Sequence, residues 1–84
     1  MQKIKIAVAG CLGRMGQELI KNIINNKKLL FVGGFEHKSH PMIGKKINKI
    51  TNINSEIIVT SNSDQIIKNA DVLIDFTTPI ATLL

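Results

Sequence analysis

The sequence predicts an α/β domain, with parallel strands alternating with helices as the first part of a doubly wound sheet. Three observations carry this prediction. Short runs rich in isoleucine and valine recur at Lys3–Ala9, Leu29–Phe35, Glu56–Thr60 and Asp71–Phe76. Between the first two, the apolar spacing changes to that of an amphipathic helix. Glycine, proline, asparagine and serine punctuate the segments, so each run is bounded.

The first run, Lys3 to Ala9, ends on Gly10 and suits a buried parallel strand. The lysines at positions 3 and 5 mark its exposed end. From Arg14 to Lys28 the spacing is helical, with Met15, Leu19, Ile20, Ile23 and Ile24 forming one stripe. Lys27 and Lys28 fall where cations favour a helix C-terminus. Leu29 to Phe35 is a second strand, in which Gly33 and Gly34 permit close packing. Residues 37–55 read as a long loop, because His40-Pro41 and Gly44 interrupt helical spacing. Glu56 to Thr60 is predicted as a third strand. Ser61 or Ser63 would cap a short helix over Asp64 to Asn69 that buries Ile66 and Ile67. Asp71 to Phe76 is a fourth strand, and Thr78-Pro79 reads as the N-cap and first-turn proline of a further helix.

Composition narrows the function classes. The chain has 84 residues, 44% of them hydrophobic, which is globular rather than disordered. The net charge of +5 favours anionic ligands such as phosphates. Arg14 is the sole arginine, Trp and Tyr are absent and Phe numbers three, so neither an arginine-rich nor an aromatic nucleic-acid surface is expected. A single cysteine excludes an internal disulfide framework and a cysteine-built metal site, and fits a reducing, cytoplasmic setting. No signal peptide and no apolar run of membrane-spanning length is recognisable.

The chemistry concentrates between the first strand and the end of the second. Gly10, Gly13 and Gly16 have the spacing G-x-x-G-x-x-G. After a strand and before a helix, the first glycine allows the tight turn and the second admits a pyrophosphate close to the backbone. The third lets helix and sheet approach. The helix N-terminus then offers unpaired N–H groups to the phosphates. Glu36 lies about twenty residues beyond Gly16, where a carboxylate can accept hydrogen bonds from the adenosine ribose hydroxyls of a dinucleotide. A plain strand-to-helix turn and a solvated strand-end charge are the alternatives. His37 and Lys38 follow: a cation there suits the extra phosphate of NADP, whereas Glu36 suits the bare ribose of NAD, so the local chemistry leaves NADPH or NADH open. Arg14 could pair with a phosphate oxygen or lie over the adenine side. Cys11 reads as a small loop filler without a partner base, and His37 with His40 is too sparse for a zinc site. The Asp75-Phe76-Thr77 segment ends the fourth strand beside the glycine turn, at the switch point of a Rossmann-type sheet.

Two stretches together resemble the 4-hydroxy-tetrahydrodipicolinate reductase (dihydrodipicolinate reductase) family. They are Ile6-Ala7-Val8-Ala9-Gly10-Cys11-Leu12-Gly13-Arg14-Met15-Gly16 and Val72-Leu73-Ile74-Asp75-Phe76-Thr77-Thr78-Pro79, and the Ala81-Thr82-Leu83 tail fits as well. The resemblance runs through residues 1–84, most loosely from His37 to Asn54. It implies a Rossmann-type NAD(P)-binding domain of an NAD(P)H-dependent reductase acting on a cyclic imine dicarboxylate, on the way to diaminopimelate and lysine. By that likeness Gly10, Cys11, Leu12, Gly13, Arg14 and Met15 would hold the dinucleotide phosphates. Glu36 would bind the adenosine ribose, and Phe76 and Thr77 would border the nicotinamide end. His37 stands where many members have arginine for the NADP phosphate.

The family's substrate domain and its catalytic motif match nothing in these residues, so no catalytic residue is assigned. The expectation is an N-terminal portion that binds cofactor weakly and turns over nothing alone. Homo-oligomers would form only with the absent domain, and neither nucleic acid nor membrane is expected as a partner. The remaining alternatives are a non-catalytic nucleotide-binding module or truncated product, the cofactor half of another NAD(P)-dependent dehydrogenase, and a basic nucleic-acid binder.

Overall fold

The computed structural model describes residues 3–76. In chain order it contains β1 (Ile4–Ala9), α1 (Arg14–Ile24), β2 (Leu29–Phe35), α2 (Ile47–Ile50), α3 (Ser63–Ile67) and β3 (Val72–Asp75). The strands form one parallel sheet in the order β2-β1-β3. This is the α/β, Rossmann-type arrangement that the alternating pattern predicts. The chain leaves β1 for one side of the sheet and returns on the other, so the strand order reverses at the C-terminal end of β1.

β1 is central, and Ile6 through Ala9 are buried while Ile4 and Lys5 are exposed. Its register with β2 slips: Ile6 faces Phe31 but Ala7 faces Gly33, leaving Val32 as an extra residue. Such a bulge resets which side each later residue faces. Beyond it, Gly33 packs against the Ile66 side chain of α3, and Gly34 packs against Cys11 and Phe31. Successive strand residues point to opposite faces, so the two glycines bring a helix onto one face and the turn after β1 onto the other.

The core joins Ile6, Val8, Cys11, Ile20, Ile23, Phe31, Ile47, Ile53 and Val59. Ile20 and Ile23 come from α1, where Gly16 is also buried. Each fully buried isoleucine contributes about 1.5–3 kcal/mol relative to exposure. That matters for a chain this small, because it buries a modest fraction of its surface.

Several local expectations need correction. Among the described residues Glu56–Thr60 is not a regular strand and takes part in two isolated bridges, Phe35 with Thr60 and Lys46 with Ile58. Its backbone divides between neighbours. Val59 N–H donates to Lys45 O and Ile57 O accepts from Ile47 N–H, while Thr60 N–H turns to Gly34 O. The long loop contains α2, which opens at the residue that makes this Ile57 contact. Helix α1 stops at Ile24 rather than Lys28. Asn25 forms its C-cap, the Asn26 side chain accepts the Lys28 N–H, and Lys21 is the basic residue of the last turn. The cap of α3 is Asn62 rather than a serine, its side chain accepting from Gln65 N–H. Ile66 is buried but Ile67 is 45% exposed, because this short helix offers the sheet a single apolar position. Met15 leaves the apolar stripe and is 67% exposed, since the first turn of α1 borders an open cleft. The predicted Thr78-Pro79 cap lies outside the described residues, as do Thr77 and the Ala81-Thr82-Leu83 tail.

Candidate functional site

A cleft of about 810 Å³ opens where β1, β2 and β3 end. Its walls come from the glycine turn and first turn of α1 (Gly10, Gly13, Arg14, Met15, Gly16), from Phe35 to Lys38, and from Ser61 and Phe76.

The turn is built by backbone hydrogen bonds to the end of β2. Gly10 N–H donates to Phe35 O at 2.9 Å and Cys11 N–H to the same oxygen at 3.5 Å. Leu12 N–H donates to Glu36 Oε2 at 2.7 Å. Gly13 N–H closes the turn onto Gly10 O at 3.1 Å. Gly10 has φ of 74°, a left-handed conformation that side chains disfavour. Gly16 is required for a different reason. A Cβ there would collide with Gly10 O and lie 3.0 Å from Cys11 Cα, both backbone atoms. A Cβ on Gly13 would meet only Gly10 O, at an ordinary 3.4 Å. Packing therefore does not demand glycine at 13; a side chain there would instead enter the cleft.

The amides of residues 10–13 are engaged within the turn, and the helical ladder starts with Gln17 N–H on Gly13 O at 2.9 Å. Arg14, Met15 and Gly16 precede that ladder, so their N–H groups are the donors that a helix N-terminus leaves for a ligand. No side chain caps α1 and its first turn holds no acid. The positive end of the helix thus faces the cleft with no acid of its own, the nearby carboxylate being that of Glu36 from the end of β2, and Arg14 adds a cation. This is the donor set that phosphate oxygens need.

Glu36 is half-buried at the mouth, directly after β2, and its backbone N–H is held by Thr60 O at 3.0 Å. One carboxylate oxygen accepts from Leu12, and a carboxylate retains further acceptor capacity for hydroxyl donors. His37 and Lys38 are exposed beside it. The His37 ring accepts Ser39 N–H at Nδ1, 3.3 Å away, with Ser39 Oγ 2.9 Å from the same nitrogen. Those contacts leave Nε2 to other partners. Phe76 closes the β3 side, its N–H donating to Ala9 O at 2.9 Å.

The structure thus gathers Gly10, Gly13, Arg14, Met15, Glu36, His37 and Phe76 around one cleft. Leu12 reaches it through its amide hydrogen bond with Glu36. Cys11 lies beneath the turn, fully buried, and burial followed by the Glu36 charge pushes its thiol up to about 12. A thiol held protonated in this way is a poor nucleophile. Among the described residues, no group of three or more His, Cys, Asp or Glu could hold a metal, and no helix is long and apolar enough to cross a membrane.

Ser61 is a cleft residue that sequence reasoning did not place in the site. The bridge between Thr60 and Phe35 carries it there. The available signal was the parallel order itself, which sets the end of each successive segment at the same rim.

Residues 4–84 match the family described as "Dihydrodipicolinate reductase, N-terminus". The chain is similar to the 4-hydroxy-tetrahydrodipicolinate reductase of Pelagibacter ubique (strain HTCC1062), with 45% identity over 83 residues, covering 99% of this chain and 28% of the relative. It is 43% identical over 83 residues to the reductase of the same name from Buchnera aphidicola subsp. Acyrthosiphon pisum (strain Tuc7), covering 98% of this chain and 31% of that one. The corresponding reductase of Polynucleobacter necessarius subsp. necessarius (strain STIR1) is 38% identical over 80 residues, 95% of this chain and 30% of the relative. The chain therefore spans under a third of the length of these curated relatives. It belongs to the dihydrodipicolinate reductase family, whose N-terminal region it matches.

Proposed function

We propose that this chain is the dinucleotide-gripping portion of an NAD(P)H-dependent 4-hydroxy-tetrahydrodipicolinate reductase of diaminopimelate and lysine biosynthesis. The observation that carries the reading is the meeting, in one cleft, of free first-turn amides, a half-buried carboxylate and a basic rim. Family membership supports the reaction class.

In this reading the N–H groups of Arg14, Met15 and Gly16 hold pyrophosphate oxygens, and Gly13 keeps the backbone bare where they approach. Glu36 accepts hydrogen bonds from the adenosine ribose hydroxyls. Its charge disfavours a phosphate on that ribose, while His37 and Lys38 favour one, so the chain takes both NADH and NADPH. Phe76 and Thr77 border the nicotinamide end. The bound dinucleotide supplies the hydride that reduces the cyclic imine dicarboxylate. No residue of this chain is assigned to proton transfer or substrate binding. The chain works in the cytoplasm, and substrate recognition and homo-oligomer formation belong to a full-length protein.

The test is titration of the chain with NADH and NADPH, followed by nicotinamide fluorescence and by amide shifts of Arg14 and Met15. Binding of both dinucleotides, with shifts centred on the first turn of α1, is the expected result. The reading fails if neither binds, or if RNA binds and NADPH does not displace it. Weak binding without reduction of the imine is expected of the chain alone; turnover by it would refute the division of labour.

A further inference from the structure

We infer that Glu36 is a positioning residue for the glycine turn: its carboxylate clamps the Leu12 peptide and thereby sets the turn that presents the free amides of α1. The inference rests on the cofactor reading above and adds a second role to a residue assigned there only to the ribose.

Two hydrogen bonds carry it. Leu12 N–H donates to Glu36 Oε2 at 2.7 Å, and Leu12 C=O accepts from Gln17 Nε2 at 2.7 Å. The same residue is thus gripped from the end of β2 on one side and from α1 on the other. Both contacts are partly buried, so water competes poorly for either group. The neighbouring amides reinforce the geometry. Gly10 and Cys11 both donate to Phe35 O, so three consecutive turn amides dock on two consecutive residues at the end of β2, Phe35 and Glu36. Leu12 is the last of them before the turn closes at Gly13, and its acceptor alone is a side chain. The backbone acceptors survive any substitution at 36, whereas the Leu12 acceptor does not. Loss of that carboxylate strands a partly buried N–H at the point where the turn passes into α1.

Simple electrostatics predicts the opposite sign. A carboxylate beside a phosphate site repels the phosphate, so its removal should strengthen anion binding. Glu36→Gln and Glu36→Ala both remove the charge, but only the glutamine keeps an acceptor oxygen for Leu12. The two variants therefore separate charge from positioning.

The experiment uses inorganic pyrophosphate, which lacks the ribose, together with NADH as a control, on the full chain. Amide shifts of Arg14 and Met15 report pyrophosphate binding, and hydrogen exchange at Leu12 reports the clamp. Glu36→Gln should bind pyrophosphate at least as well as the parent and keep Leu12 protected. Glu36→Ala should bind it roughly tenfold more weakly and lose that protection. Protection of Val8 and Ile20 verifies folding, and if Glu36→Ala unfolds, Glu36→Asp serves instead. It keeps the charge, withdraws the acceptor and should weaken pyrophosphate binding like alanine. Equal pyrophosphate affinities for alanine and glutamine, or unchanged Leu12 exchange in the acceptor-deficient variant, would overturn the positioning role. That result leaves the cofactor reading intact provided that the parent binds NADH. Failure of the parent to bind pyrophosphate and both dinucleotides overturns both.

Discussion

Replacing Gly16 with alanine tests how tightly the first turn of α1 is set against β1. In an ordinary helix interior this change stabilises by about 1 kcal/mol. Here the new Cβ would meet Gly10 O, Cys11 Cα at 3.0 Å and Gly10 C at 3.1 Å. All three are backbone atoms, so no rotamer change relieves the contact. Carbon atoms at rest lie about 3.5–4.0 Å apart, so the helix must retreat by roughly half to one ångström. Overpacking of this kind costs typically about 1–3 kcal/mol, and a rigid backbone neighbour places it at the upper end. Set against the helical gain, the net loss is about 2 kcal/mol. For a chain of this size that corresponds to a Tm lower by about 10 °C. The retreat also moves the amides of Arg14, Met15 and residue 16 away from the cleft, so NADH affinity should fall in molecules that remain folded. Urea titration with and without NADH measures both effects. Gly13→Ala is the control, because its Cβ meets only Gly10 O at 3.4 Å: it should keep its stability and lose affinity. If Gly16→Ala proves as stable as the parent and binds NADH equally well, the close-approach argument is wrong.

Other consequences follow from the same geometry. The folded Cys11 thiol is raised from 9.0 to about 12, so its stabilising contribution is complete below about pH 9 and is lost as pH rises toward 12. The urea midpoint of the parent should therefore fall faster than that of Cys11→Ala between about pH 8 and 11; parallel profiles would contradict this. Ile47→Val removes one methyl from a fully buried site in α2, away from the cleft. It should cost about 0.5–1.5 kcal/mol in urea unfolding and leave NADH affinity unchanged, whereas a matching loss of affinity would couple α2 to the site. His37→Arg places a forked, permanently charged donor at the cleft rim and should raise the NADPH-to-NADH affinity ratio by about tenfold; an unchanged ratio would remove position 37 from the ribose end.

Elements specified by their own residues were legible in the sequence. β1, α1, β2 and β3 each carry a local pattern of apolar spacing bounded by turn residues, and the glycine turn is written in three positions. What escaped depends on distant partners. Ile43, Ile47, Ile50 and Ile53 have helical intervals, yet Gly44 and the surrounding lysines obscured α2, which is held by Ile47 N–H on Ile57 O and Asn48 N–H on Ser55 O. Glu56–Thr60 has strand composition, but its backbone is shared between Gly34 and the Lys45–Ile47 segment, so no continuous ladder forms. Met15 fits the apolar stripe by spacing, but the first turn of α1 faces the cleft instead of the core. At the site, residue types and the glycine-to-carboxylate interval gave most of the cleft. Ser61 was missed because its residue type signals nothing and its place follows from the pairing of Thr60 with Phe35.

The position of Glu36 brings two demands into opposition. A site for pyrophosphate is best served by cations alone, and Arg14 and Lys38 supply a basic rim. A carboxylate among them weakens the field that attracts phosphate. Its presence at the mouth of the cleft is intelligible if the same group does work a cation cannot. An ionised carboxylate accepts several hydrogen bonds at once, so it can hold Leu12 N–H and still receive ribose hydroxyls. Neither Lys38 nor His37 in its charged form can do this, having only donors to offer. Because one oxygen is already committed to the turn, the proposed ribose contact would be made by a group whose rotamer is fixed before the ligand arrives. Less side-chain entropy is then lost on binding. The electrostatic penalty falls hardest on a ribose that carries an extra phosphate, and Lys38, a point charge without a fork, relieves only part of it. On the proposed reading, a turn that takes its shape from Glu36 would tie cofactor choice to loop architecture: changes at His37 and Lys38 would adjust the choice, whereas a change at Glu36 would alter the grip itself.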